Sequence, residues 1–183
     1  MSDKYEEGEI YRFFSYHPYR KDGDHNPDRD TNTFRIMDLK NPTARNHKSA
    51  VAHLGDLFAG GIDYMMEKIG ISKVQLAIVP SSKKDKVSVG LEGVIGYTDA
   101  KEVLYNRKFL VRTQDIDSAH EGGIRSERQH LETIRVDVVP EPNIPLIIFD
   151  DVATTGTSLE ACEKLIRESG VKEVYMLALG RTA

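Results

Sequence analysis

The sequence predicts an α/β domain with a mainly parallel sheet flanked by helices, and three observations carry that expectation. Short, uninterrupted apolar runs at 74–79, 146–149 and 174–179 suit strands covered on both faces. Two other segments repeat apolar residues every three or four positions, as helices with one buried face do. Gly70 and Gly170 stand between each such segment and the strand that follows, where a helix stop is needed.

Taken in chain order, residues 1–46 are rich in Tyr, Phe, Asp, Asn and Arg, with apolar runs only at Ile10 to Phe14 and Phe34 to Met37. These are read as two short strands around a polar loop. From Ala50, the positions Val51, Leu54, Leu57, Phe58, Ile62, Met65, Met66 and Ile69 mark a core-facing helix that Gly70 ends. The strand Val74 to Val79 follows and is closed by Pro80. Residues 81–130 are rich in Gly, Ser and charge, which leads to an expectation of mobility over that stretch, with helices around Asp99 to Tyr105 and Ile124 to Ile134. Leu146 to Phe149 is a further strand, Leu159 to Ser169 a helix, and Val174 to Leu179 the last strand. The chain thus divides into an appended N-terminal element, 1–46, and an α/β core, 47–183. A length of 183 residues suits one compact unit with room for such an addition.

Composition limits the function. The 25 basic and 29 acidic side chains leave a formal net charge of -4, which disfavours general nucleic-acid binding. Cys162 is the single cysteine, so one chain offers neither an intramolecular disulfide nor a thiolate metal cluster, and a reducing, cytoplasmic setting is the natural expectation. The start, MSDKYEEGEI, lacks a basic segment followed by an apolar run, and no stretch of about 18 apolar residues occurs, so neither export nor membrane spanning is expected. Oligomeric state is open, a homodimer being one option.

The informative segment is Leu146-Ile147-Ile148-Phe149-Asp150-Asp151-Val152-Ala153-Thr154-Thr155-Gly156-Thr157-Ser158. Its strand delivers Asp150 and Asp151 to the carboxyl edge of the sheet, where paired carboxylates accept hydrogen bonds from vicinal hydroxyls such as those of a ribose. Thr154 to Ser158 then open a helix, where free backbone amides, the dipole and four hydroxyls suit a phosphate dianion. Gly156 lets the backbone come close. A diol beside a phosphate means a phosphorylated pentose. A strand end and a helix cap would explain one acid or one hydroxyl, but not all of these together.

This run resembles the phosphoribosyl-diphosphate (PRPP) binding signature of type I phosphoribosyltransferases, and the likeness extends over about 70–183. It implies the fold of that family, with a small N-terminal hood at 1–46. It also implies that Asp150 and Asp151 hold the ribose hydroxyls and that Thr154, Thr155, Gly156, Thr157 and Ser158 bind the 5-phosphate. Val79-Pro80-Ser81-Ser82-Lys83 stands where members place the loop that contacts the diphosphate. Lys83, Lys84 and Lys86 suit that anion, and equally suit a solvated surface run. Arg112-Thr113-Gln114 with Arg125 and Arg128 resembles the loop that closes over the diphosphate.

The spacing of these arginines and the ending YMLALGRTA are most similar to the competence-associated ComF group, although the cysteine zinc site usual in that group is missing. Thr154 stands where hypoxanthine-type members carry an acid, which argues against purine transfer of that kind. The expectation is therefore a transferase that moves ribose 5-phosphate from PRPP to a nitrogen base or amine. Asp150, Asp151 and Arg112 would be catalytic, and Mg2+ would be held through PRPP rather than by direct protein ligands. The alternative is a sensor or regulatory module that binds PRPP or a nucleotide and transfers nothing.

Two further features stand outside that reading. Asp22 to Asp30 alternates acids as a calcium loop does, but Pro27 replaces the glycine and Thr33 the final glutamate that such a loop needs, which favours a solvated loop. Tyr16, His17, Tyr19, Arg20 and His25 either form a lid for an acceptor base or pack on the sheet. The remaining histidines, His47, His53, His120 and His130, show no metal-ligand spacing.

Overall fold

The computed structural model describes residues 5–116 and 126–183. The elements run β1 (Ile10–Tyr16), β2 (Arg20–Lys21), β3 (Asp24–His25), α1 (Thr31–Lys40), α2 (His47–Ile69), β4 (Val74–Ile78) and α3 (Val89–Ile95). After these come β5 (Val103–Tyr105), β6 (Val111–Arg112), α4 (Glu127–Thr133), β7 (Ile134–Arg135), β8 (Leu146–Ala153), α5 (Thr157–Glu168) and β9 (Val174–Thr182). The main sheet has five strands in the order β1-β9-β8-β4-β5, and every neighbouring pair is parallel. The chain has the α/β fold its sequence predicts.

The central strands are apolar over most of their length because both faces are covered, Gln75 of β4 and the acid pair of β8 being exceptions. Leu76, Ile147, Phe149, Leu177 and Leu179 point into one core with Leu54, Phe58 and Ile62 of α2 and Leu91 of α3. Ala77, Leu146, Ile148, Met176 and Ala178 point into the other, with Leu159, Cys162 and Ile166 of α5. Gly70 adopts φ 80° at the end of α2, the left-handed conformation that made it legible as a stop.

The strand order places a site. From β4 the chain moves one way across the sheet to β5; from β8 it moves the other way, through α5, to β9. The β4/β8 boundary is thus the point where the winding direction reverses, and a crevice opens there beyond the strand ends.

The N-terminal residues match expectation in their first strand and differ in their second. Ile10–Tyr16 is a strand, and it joins the main sheet beside β9, pairing Ile10 with Met176 and Tyr16 with Thr182. Phe34 to Met37, expected as a strand, lies inside α1. Asp30 starts that helix with a capping box, its carboxylate accepting from the Thr33 amide while the Thr33 hydroxyl accepts from the Asp30 amide. Thr33, Ile36 and Leu39 fall on its buried face. The expected helix around Asp99 to Tyr105 is instead a turn leading into β5, whose Val103 pairs with Val74 at the sheet edge. The helix expected around Ile124 to Ile134 is α4, within the described residues, and Ile124 lies outside them.

The acid-rich 22–30 segment is in part a hairpin, β2 pairing with β3 around Asp22 at φ 54° and Gly23 at φ 91°. No group of three or more His, Cys, Asp or Glu side chains among the described residues is placed to hold a metal ion. Among the described residues no helix is long and apolar enough to cross a membrane.

Candidate functional site

A cleft of about 360 Å3 lies at the carboxyl ends of β1, β9, β8 and β4. Asp150, Asp151, Thr154 and Ser158 line one wall and Ser81 and Ser82 the facing one, while Tyr16, Pro18 and Lys40 approach from the N-terminal residues. Parallel pairing produces this convergence, because strands that run together end together.

The acid pair sits in the second half of β8, directly after the fully buried Phe149. The Asp150 carboxylate accepts from the Asp151 amide at 2.8 Å, a turn-like bond that fixes its rotamer. The Asp151 carboxylate pairs with Lys40 Nζ at 2.9 Å. Burial pulls the Lys40 ammonium down, but the Asp151 carboxylate, with Asp150 and Tyr16 adding to it, holds it above its ordinary value. Lys40 therefore stays charged at neutral pH. It is a site residue that the sequence reading missed, because 34–37 was read as a strand; the capping pattern at Asp30 and Thr33 was the signal that could have found it.

The turn after β8 is built to leave donors open. Gly156 takes φ 90°, and a Cβ there would stand 2.5 Å from Ile10 Cδ1, so only glycine fits without displacing that side chain. As the residue preceding α5 it supplies no capping side chain, so the first amides of the helix depend on Thr155 or on a ligand. The Thr155 hydroxyl lies 2.9 Å from the Thr157 hydroxyl and 3.4 Å from the Thr157 amide. Ser158 Oγ meets His130 Nε2 at 3.2 Å. Asp150, Thr154, Thr155, Gly156 and Ser158 together border a small polar hollow at this turn.

The expected basic residues lie elsewhere. Lys83 Nζ is 3.3 Å from Asp115, whose carboxyl is held below its usual range by the Lys84 amide first and the Lys83 ammonium second. Arg128 pairs with Glu132 on the surface at 2.7 Å. Arg125 lies outside the described residues. Arg112, expected in a loop over the diphosphate, is on β6 and 1% exposed. Its guanidinium donates to the carbonyls of Ser81 at 2.9 Å and Pro80 at 3.3 Å, and to the Thr133 hydroxyl.

Of the N-terminal aromatic and basic cluster, Tyr16 borders the cleft. Tyr19 packs against His25 and Phe34 and carries Arg29 over its ring. Cys162, on α5 behind the turn, is fully buried, and burial pushes its thiol far up, with Asp150 adding to the shift.

No protein-family model and no curated relative matches the chain. Among solved structures, the allosteric regulatory enzyme of purine biosynthesis is similar at 18% identity and a TM-score of 0.45. That likeness covers 78% of this chain, which spans 30% of that enzyme. A hypoxanthine phosphoribosyltransferase from Staphylococcus aureus is similar at 16% identity and a TM-score of 0.37, covering 84% of this chain and 69% of that one. At TM-scores below 0.5 neither likeness adds weight to an assignment.

Proposed function

We propose that the cleft binds PRPP with magnesium and that the chain transfers ribose 5-phosphate from it to a nitrogen base or amine. The observation that carries this reading is the meeting of the Asp150/Asp151 pair, the open Thr154 to Ser158 turn and the Ser81-Ser82 loop at the reversal point of the sheet. Carboxylates suit the ribose hydroxyls, and helix-start amides with hydroxyls suit the 5-phosphate. A second loop a short way across suits the diphosphate.

Magnesium fits this donor set as a companion of the substrate. The described residues offer no three-ligand cluster, so the ion would be held through the oxygens of PRPP and keep most of its waters. When bound it would neutralise charge on the diphosphate. In the transfer, the bond from C1 to the diphosphate oxygen breaks with its electron pair leaving on the diphosphate. The acceptor nitrogen bonds to C1 and releases a proton. Asp150 and Asp151 would fix the ring, and the two loops would hold its ends apart in the stretched geometry that the displacement needs.

Tyr16, Pro18 and Lys40 border the same cleft, so we assign residues 1–46 the acceptor side, the part of a hood. Kinship with the ComF group belongs to this proposal, as does a cytoplasmic setting; it rests on the Arg112-Thr113-Gln114 segment, the arginines after it and the chain ending.

A binding-only reading has one specific observation in its favour. Three described cations expected to meet the leaving diphosphate are engaged otherwise: Lys83 and Arg128 pair with carboxylates outside the cleft, and Arg112 donates to the carbonyls of Pro80 and Ser81. Diphosphate release with magnesium and PRPP, measured across a panel of nitrogen bases and amines, separates the two. Sustained release with any acceptor establishes transfer; tight PRPP binding without release establishes the sensor.

A further inference from the structure

The geometry points to Arg112 and His130 as positioning residues that set the two anion-facing loops of the cleft in register. Arg112 would aim the amides of Ser81 and Ser82 at one phosphate group, and His130 the hydroxyl proton of Ser158 at another. The inference rests on the PRPP reading of the cleft and adds to it two buried side chains that touch no substrate.

Arg112 packs against the 80–82 loop; it is not among the residues lining the cleft and lines instead a separate cavity of about 280 Å3. From there it draws in the carbonyl oxygens of Pro80 and Ser81. Both peptides are trans, and in a planar trans peptide the N–H points opposite to the C=O. Pulling these carbonyls backward therefore turns the amides of Ser81 and Ser82 forward, on the side where those residues line the cleft. Among the described residues neither amide meets a protein acceptor. Two adjacent outward amides form an anion-binding concavity.

His130 is 1% exposed and stands between Arg112 and Ser158. Its Nδ1 lies 3.4 Å from Arg112 Nη2 and its Nε2 lies 3.2 Å from Ser158 Oγ. A guanidinium carries only donors, so Nδ1 is the acceptor and the ring proton resides on Nε2. That proton goes to Ser158 Oγ, which is left to donate its own hydroxyl proton. Ser158 lines the cleft, so the donor faces the ligand side. Arg112 thus connects to both loops, directly to one and through His130 to the other.

The test titrates the intact chain with two probes, magnesium pyrophosphate and ribose 5-phosphate, and reads amide proton and histidine nitrogen shifts. Pyrophosphate should move the Ser81 and Ser82 amide protons downfield, and His130 should show its proton on Nε2. His130→Ala should weaken ribose 5-phosphate roughly tenfold while changing pyrophosphate under about threefold, and His130→Gln, which restores a donor, should recover most of that loss. Unmoved Ser81 and Ser82 amides, a proton on Nδ1, or unchanged affinity in a folded His130→Ala would each overturn the inference while leaving the PRPP reading intact. A wild-type chain that binds neither probe nor PRPP removes that reading and this inference with it. Arg112→Lys adds a check where it folds; the amide shifts of the unmodified chain decide where it does not.

Discussion

The two loops that face each other across the cleft are built by opposite means. The Thr154 to Ser158 turn is local: its donors come from consecutive residues at the start of α5, shaped by the single conformation of Gly156. The Pro80 to Ser82 loop is shaped from a distance, by a guanidinium 31 residues away in sequence that is itself braced by Thr133 and His130. A local device is sensitive to its own residues. A remote one is sensitive to residues that do not themselves line the cleft.

Gly156→Ala should have the largest effect on this contrast. It places a side chain at φ 90° and against Ile10, and should cost about 1–3 kcal/mol, read as a lower urea midpoint, while weakening ribose 5-phosphate and sparing pyrophosphate. An unchanged midpoint would mean the turn is not held in that conformation.

Thr155→Val comes next. It removes the hydroxyl beside Thr157 without changing the backbone, and should weaken ribose 5-phosphate roughly tenfold, as loss of one hydrogen bond to a charged group does. An equal loss for pyrophosphate would erase the division of labour between the loops.

Lys83→Ala should do less, changing pyrophosphate affinity under about threefold, because its exposed ammonium is engaged by Asp115. A larger loss would show that Lys83 swings into the cleft when the anion arrives. Smallest of all is the effect of a thiol reagent on the native chain: with its thiol buried and pushed up, Cys162 should stay unmodified until the chain unfolds. Rapid native labelling would mean that α5 opens behind the turn.

The same contrast governs what the sequence discloses. The β8-to-α5 turn was legible because its chemistry is contiguous: a buried strand, two acids, then a glycine and hydroxyls at a helix start. The doubly covered strands and the stop at Gly70 were legible for the same reason. Lys40 was not, since its place beside Asp151 follows from how α1 packs, and the short run Phe34 to Met37 fits strand or helix until Asp30 is recognised as a cap. Val103–Tyr105 became a strand because β4 offered a free edge, a tertiary decision that its local charges conceal. Arg112 was singled out because its segment resembles a loop that closes over a diphosphate, yet only the fold shows its guanidinium turned inward on two carbonyls.

Calorimetric titration of the intact chain with PRPP and magnesium tests the central claim most directly, run beside a chain carrying both Asp150→Asn and Asp151→Asn. Saturable heat from the first and at least about a hundredfold weaker binding by the second, with its fold retained by circular dichroism, is the predicted result. Absence of heat from the unmodified chain, or equal binding by both, would contradict it.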